Sequence, residues 1–133
     1  MNRFRIPFRL LVASLLAAGF VFLPSAVARG SSFEREARRT AAAFFASMNA
    51  KSFYDTCDLL SKRFYRVHHL RDQTVCALTL RIGFAWEPYR FQIVGVEIDG
   101  ERAVVRALAD GVSGWLVLVR EAGRYKILAV QGA

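Results

Sequence analysis

The spacing of apolar residues changes at Gly83, and this change limits the fold more than any other feature of the chain. Before Gly83, apolar residues recur at steps of three and four, which is typical of helices. After it, apolar and polar residues alternate, and β-branched and aromatic residues become common, as in strands. Because the helical and strand segments are separated along the chain, the sequence predicts an α+β fold.

The helical half contains start signals for three helices. Ser31 and Glu34 form a capping box for a first helix over residues 31–50. Ser52 opens a second helix, and Asp72 is the expected N-cap of a third that ends near Arg81. The apolar face of the first helix consists of Phe33, Ala37, Ala41, Phe44, Phe45 and Met48.

The second half predicts four consecutive antiparallel strands. Asp99-Gly100 is a strong hairpin signal, and further turns are expected at 110–114 and 121–124. The strands are expected over 89–98, 102–109, 115–120 and 125–130. The inward-facing positions are predicted to be Phe91, Ile93, Val105, Ala107, Val117, Ile127 and Ala129. The outer face is predicted to carry Arg90, Glu97, Arg102, Arg106, Arg120 and Lys126, together with Leu116, Leu118 and Leu128.

Residues 1–28 match a secretory signal peptide. A basic start is followed by the apolar run Leu10–Leu23 and by Ala26-Val27-Ala28, a small-x-small cleavage pattern. Cleavage after Ala28 would leave a single extracytoplasmic domain over residues 29–133; the alternative is an uncleaved N-terminal membrane anchor. Loss of three leader arginines would lower the formal net charge from +8 to +5. Nucleic acid is not an expected partner in this compartment.

Cys57 and Cys76 are the two cysteines of the chain. In an oxidising compartment paired thiols usually close, so we predict a disulfide. The alternative is two buried free thiols. No metal site is expected, because the cysteines and the histidines between them match no zinc spacing. No cofactor is expected, since the sequence has no phosphate loop and no glycine-rich dinucleotide fingerprint.

The weak catalytic candidates are His68, His69 and Asp72, since a carboxylate can orient a histidine as a general base. Asp72 is better explained as a helix N-cap. The basic and aromatic stretch Lys62–Arg66 is expected to pack as an amphipathic segment, with contact to an anionic membrane surface as the alternative. An apolar ligand pocket, or simply core, is predicted from Phe45, Trp86, Tyr89, Phe91, Trp115 and Tyr125.

The order of helices and meander resembles the nuclear transport factor 2-like (SnoaL-like) superfamily. The resemblance rests on the segments 41–53, 57–61 with Cys76, 96–105 and 116–127, the last of which ends in Gly123-Arg124-Tyr125-Lys126-Ile127. The chain is similar in particular to secreted bacterial members with one helix-linking disulfide. This resemblance implies three helices packed on a curved four-stranded sheet that leaves a cone-shaped cavity.

Two functions follow as expectations. The first is a secreted, non-enzymatic domain that binds a small apolar ligand or a protein partner, with a homodimer formed through the outer sheet face. The second is a small lyase, isomerase or hydrolase that acts on an apolar molecule in the cavity. The apolar residues predicted to face inward favour the first, because they cannot transfer protons.

Overall fold

The computed structural model describes residues 23–83 and 87–132, with side chains described from Ser32 onward. Within those residues, four helices precede four strands, which confirms the α+β class. The predicted leader lies mostly outside the described residues. None of the helices in the described part of the chain is long and apolar enough to cross a bilayer. The helices are α1 Leu23–Asn49, α2 Phe53–Asp58, α3 Lys62–Val67 and α4 Gln73–Gly83.

The predicted start of the first helix at Ser31 is wrong, because α1 begins at Leu23 and runs through the predicted cleavage position at Ala28. A capping box marks the first residue of a helix only where the preceding chain is not itself helical. The residues before Ser31 include alanines, which favour helix, so the helix continues through this position. The predicted apolar face is confirmed. Ala37, Ala41, Phe44, Phe45 and Met48 are buried, and Phe33 packs against the core.

The prediction of three helices is also wrong, because the stretch Lys62–Val67 forms the additional helix α3. Ser61 caps it by accepting a hydrogen bond from the Phe64 amide at 3.0 Å. Phe64 and Tyr65 pack against the core, whereas Lys62 is exposed. This helix is therefore the amphipathic segment that the basic and aromatic pattern predicts.

Helices α2 and α4 are joined by the predicted disulfide between Cys57 and Cys76. Both cysteines are buried, so the bond forms part of the core. The two cysteines are 19 residues apart in the sequence. In the chain-entropy model, a disulfide that closes a loop of this length raises the free energy of unfolding by roughly 3 kcal/mol. Asp72 caps α4 as expected, since its carboxylate accepts from the Val75 amide at 2.9 Å.

The strands form one open antiparallel sheet in the order β1-β2-β3-β4. They are β1 Phe91–Asp99, β2 Arg102–Ala109, β3 Val112–Glu121 and β4 Arg124–Gly132. The turn predicted over 110–114 is shorter than expected: Asp110 and Gly111 both have positive φ, and Ala109 already pairs with Val112. Two consecutive positive φ values fit the tight hairpin turn whose twist matches the strands.

The inner face of this sheet, which packs on the helices, differs in β3 and β4 from the prediction. Leu116 and Leu118 belong to the buried core cluster and do not face outward. Val117 pairs with Val104 and Ala129, and neither Val117 nor Val104 belongs to that cluster. Val117 and Ala129 therefore lie on the outer face, contrary to the prediction.

In β3 the apolar run from Trp115 to Val119 does not alternate and gives no guide to its faces, whereas in β4 the exchange is caused by a β-bulge. The register shifts between Val117 and Leu118, so Leu128 is the extra residue of β4 between Ile127 and Ala129. Arg120 also lies on the inner face, because it pairs with Tyr125 and bonds to Glu36 of α1. With Leu116 and Leu118 buried against the helices, the expected dimer through these leucines loses its basis.

Candidate ligand pocket

The inner face of the sheet has a filled end and an open end. At the filled end, the side chain of Arg120 lies between the rings of Phe33 and Tyr125, with Cζ 4.6 Å and 4.9 Å from their centroids. The carboxylate of Glu36 accepts from Arg120 Nη1 at 2.9 Å and from the Tyr125 amide at 3.1 Å. Aromatic rings and an ion pair thus occupy the space between α1 and the sheet.

The filled end is also held by the chain between α2 and α3. The Ile127 amide donates to the Leu59 carbonyl at 2.7 Å, and the Ser61 amide donates to the Ile127 carbonyl at 2.8 Å. These bonds satisfy the free edge of β4 at this position. The disulfide-linked helices are therefore fixed against this end of the sheet.

At the open end, a hollow of about 300 Å³ lies between α1 and the strands. This volume is at the lower limit for pockets that hold small molecules. Its wall is mainly apolar. The lining residues are Phe45, Tyr89, Ala107, Ala109, Asp110, Val112, Ser113, Gly114, Trp115, Leu116, Val130, Gln131 and Gly132.

The hollow exists because the inner-face residues at this end are small. Gly114 of β3 is on the inner face, where the same strand carries Leu118 and Arg120 at the filled end, and the facing residues of β2, Ala107 and Ala109, are also small. A side chain at Gly114 would be crowded, since a Cβ atom there would stand 3.1 Å from the Gln131 carbonyl oxygen. The ring of Phe45 is held in place by stacking on Phe91, with centroids 5.0 Å apart.

Apolar and polar groups meet at the mouth of the hollow. Val112 and Val130 are both exposed there, at 58% and 49%, so two apolar side chains adjoin at the mouth. Tyr89 is fixed on the opposite side, because Asn49 donates to its carbonyl at 2.8 Å and accepts from its amide at 3.1 Å. The mouth is therefore solvent-accessible, combines apolar side chains with polar groups, and is attached to α1 through Asn49.

The predicted pocket residues divide between the two ends. Phe45, Tyr89 and Trp115 line the open-end hollow. Phe91 lies behind Phe45 and does not line the hollow itself. Tyr125 lies at the filled end and lines the cleft beside β4 instead of the open-end hollow. Trp86 lies outside the described residues.

Several residues of the hollow were missed by the sequence analysis. The overlooked lining residues have small or no side chains, so they leave room for a ligand but offer it no polar or aromatic group; they are Ala107, Ala109, Gly114 and Gly132. A signal for them does exist in the chain. The segment Ala107–Gly114 has alanines and glycines on both sides of a tight turn, a pattern that leaves room under a hairpin.

The weak catalytic candidates lie between the end of α3 and the start of α4. His68 follows α3 and lies against the Phe64 ring, with centroids 4.3 Å apart, and His69 is exposed with a positive φ of 54°. Asp72 is engaged as the cap of α4. Within residues 23–83 and 87–132, no three His, Cys, Asp or Glu side chains are grouped as a metal ion would require.

Two tyrosines have perturbed acidities, and both lie outside the hollow. Burial raises the pKa of Tyr125, an effect that the Arg120 guanidinium partly opposes. Its hydroxyl is buried without a hydrogen-bond partner in the described part of the chain. Burial, with Asp58 and Asp72 nearby, raises the pKa of Tyr65, whose hydroxyl donates to the Cys57 carbonyl at 3.0 Å.

Other hollows have more charged walls. The groove between α2 and α4 is lined in part by Lys51, Asp55 and Arg81. The cleft beside β4 includes Glu36, Asp58, Arg124 and Lys126. The open-end hollow is the more apolar site and is built by α1 together with three strands.

No protein-family model, curated protein or solved structure matches this chain.

Proposed function

We propose that this chain is a secreted binding domain of the nuclear transport factor 2-like superfamily, and that it holds a small apolar ligand in the open-end hollow. The order of its elements, helices followed by a four-stranded meander, supports the family assignment. The closed disulfide supports an extracytoplasmic location, because such bonds persist in oxidising compartments.

The observation that carries the proposal is the hollow beneath Phe45, lined by small inner-face residues and bordered by exposed valines. A packed domain gains stability by filling such space, at about 1 kcal/mol for each methyl-sized gap. A hollow of about 300 Å³ that opens between exposed apolar residues is typical of a site that a ligand completes.

Catalysis is the competing function, and it needs a group that transfers protons to or from the ligand. Among the described residues that line the hollow, the ionisable side chains are Tyr89 and Asp110. Asp110 is exposed, and its Oδ1 already accepts from the Arg90 amide at 3.1 Å. Binding is therefore the function that this lining favours.

The proposed binding site is tested by a substitution that fills the hollow with a larger side chain. Ala109→Phe places a ring in the open end, whereas Ala46→Phe, at an exposed position of α1 next to Phe45, adds the same ring to the surface. The neutral fluorescent probe N-phenyl-1-naphthylamine should bind the wild type and Ala46→Phe alike, and decanol should displace it. Ala109→Phe should lose affinity at least about tenfold.

Equal probe binding by a folded Ala109→Phe variant would contradict the proposed site, and so would absence of binding by the wild type. Folding of each variant is checked by circular dichroism. Mass spectrometry of bound candidate ligands separates binding from catalysis, because a binding domain should return them with unchanged mass.

A further inference from the structure

The charge around the hollow is opposite in sign to the charge of the chain. The chain has 19 Lys and Arg residues and a formal net charge of +8, yet no Lys or Arg lines the hollow within the described residues. The formally charged lining residue is Asp110, at the mouth. A ligand that enters this site therefore moves from a protein surface with net positive charge to an apolar wall that carries one carboxylate.

This lining opposes an anionic head group. A carboxylate drawn into the hollow would lose water and find no cation to replace it, and burial of an unpaired charge is costly. The carboxylate of Asp110 would also repel it. A protonated amine has neither difficulty, because it can remain at the mouth beside Asp110 while its apolar part enters between Phe45 and Leu116.

Asp110 is held in a defined position for such a contact. It lies in the β2–β3 turn with φ 49°, and its amide donates to the Arg90 carbonyl at 2.9 Å. The Arg90 amide in turn donates to Asp110 Oδ1 at 3.1 Å, a contact that does not use Oδ2. Both bonds involve the backbone of residue 90, so they fix the turn against the chain that precedes β1.

Asp110 also borders a second hollow, on the outer side of the sheet, together with Arg90, Gln92 and Leu108. Arg90 does not line the open-end hollow. Arg90 therefore weakens the field of Asp110 from outside without supplying a cation inside.

We propose that the open-end hollow selects apolar amines over apolar carboxylates, with Asp110 as the residue that determines this specificity. The inference rests on the proposed binding function and adds the chemical class of the ligand. At short range the mouth of the hollow would prefer cations, because Asp110 is the charged residue there. At long range the net positive charge of the protein attracts anions, so the two effects oppose each other.

The test compares three ligands that share one tail at pH 7 and 0.15 M salt: decylamine and decanoate, each below its micelle concentration, and decanol below its solubility limit. Titration calorimetry should give decylamine the lowest dissociation constant, about three- to fivefold below that of decanol, as expected for one exposed charge pair. Decanoate should bind more weakly than decanol.

The variant Asp110→Asn should remove the preference for decylamine and leave decanol binding unchanged. Asparagine tolerates the positive φ of this turn and can still accept from the Arg90 amide, so the turn should persist. The control Asp99→Asn removes an equally exposed charge from β1, at the far end of the sheet, and should preserve the preference.

The outcomes separate the two proposals. Equal binding of decylamine and decanoate, or an unchanged preference in Asp110→Asn, would contradict the amine specificity and leave the binding site intact. Failure of all three ligands to bind would contradict the proposed function itself and remove the specificity with it.

Discussion

The two ends of the inner sheet face are built from the same strands and covered by the same helix, yet one is filled and the other is hollow. At the filled end, Arg120 and Tyr125 meet Phe33 and Glu36 of α1. At the open end, Ala107 and Gly114 leave about 300 Å³ beneath Phe45. The comparison shows that side-chain volume along the strands decides where this fold has a cavity.

The largest expected effect comes from two leucines of β3 that face the same helices. Leu118 lies toward the filled end, and Leu116 borders the hollow; both are fully buried. Leu118→Ala should lower the free energy of unfolding by about 4 kcal/mol, and Leu116→Ala by about 2.5 kcal/mol, because Leu116 has fewer neighbours to lose. Urea unfolding measures both, and a larger loss for Leu116→Ala would contradict the comparison.

A smaller effect is expected at the ion pair of the filled end. Glu36→Ala removes the acceptor of both Arg120 and the Tyr125 amide, and should cost about 1–2 kcal/mol. The control is Glu34→Ala, whose exposed pair with Arg38 one turn along α1 should be worth less than about 0.5 kcal/mol. Equal midpoints of urea unfolding for the two variants would show that Glu36 does not hold this end.

The smallest effect at neutral pH is expected from two tyrosine hydroxyls. Tyr125→Phe removes a buried hydroxyl without a partner in the described residues and should change stability by less than about 0.5 kcal/mol. Tyr65→Phe removes the donor to the Cys57 carbonyl and should cost about 1 kcal/mol. Thermal melts at pH 7 compare the variants, and a greater loss for Tyr125→Phe would reveal a partner for that hydroxyl.

Tyr125 also makes the stability of the fold depend on pH. The pKa of Tyr125 is raised in the folded state above its ordinary value of 10.0, chiefly by burial, so folding favours the neutral phenol. The resulting stability is fully present below pH 10 and is lost as the pH rises through the folded pKa. Tyr125→Phe should therefore flatten the decline of the urea midpoint above pH 10, and an unchanged decline would contradict the assignment.

Much of the framework could be predicted from the sequence because it depends on local signals. The apolar spacing of α1, the Asp72 cap and the change of period at Gly83 act over a few residues and are found in the structure. The helix α3 was missed because six residues carry too few turns for a periodic pattern. Its cap, Ser61, was available as a signal.

The faces of β3 and β4 could not be predicted in the same way. The run from Trp115 to Val119 is apolar without alternation, so either register looks equally buried. The bulge at Leu128 then exchanges the faces along β4, and no residue type marks it. The hollow was harder still, because it is defined by the side chains that are absent at Ala109 and Gly114.

The most direct test of the central claim is a methyl nuclear magnetic resonance spectrum of the protein titrated with decanol. The account predicts that the methyl resonances of Val112, Leu116 and Val130 shift and saturate, while those of Leu118 and Ile127 at the filled end stay in place. Unchanged open-end methyl resonances at saturating decanol, or shifts confined to the filled end, would contradict the claim that the hollow is a binding site.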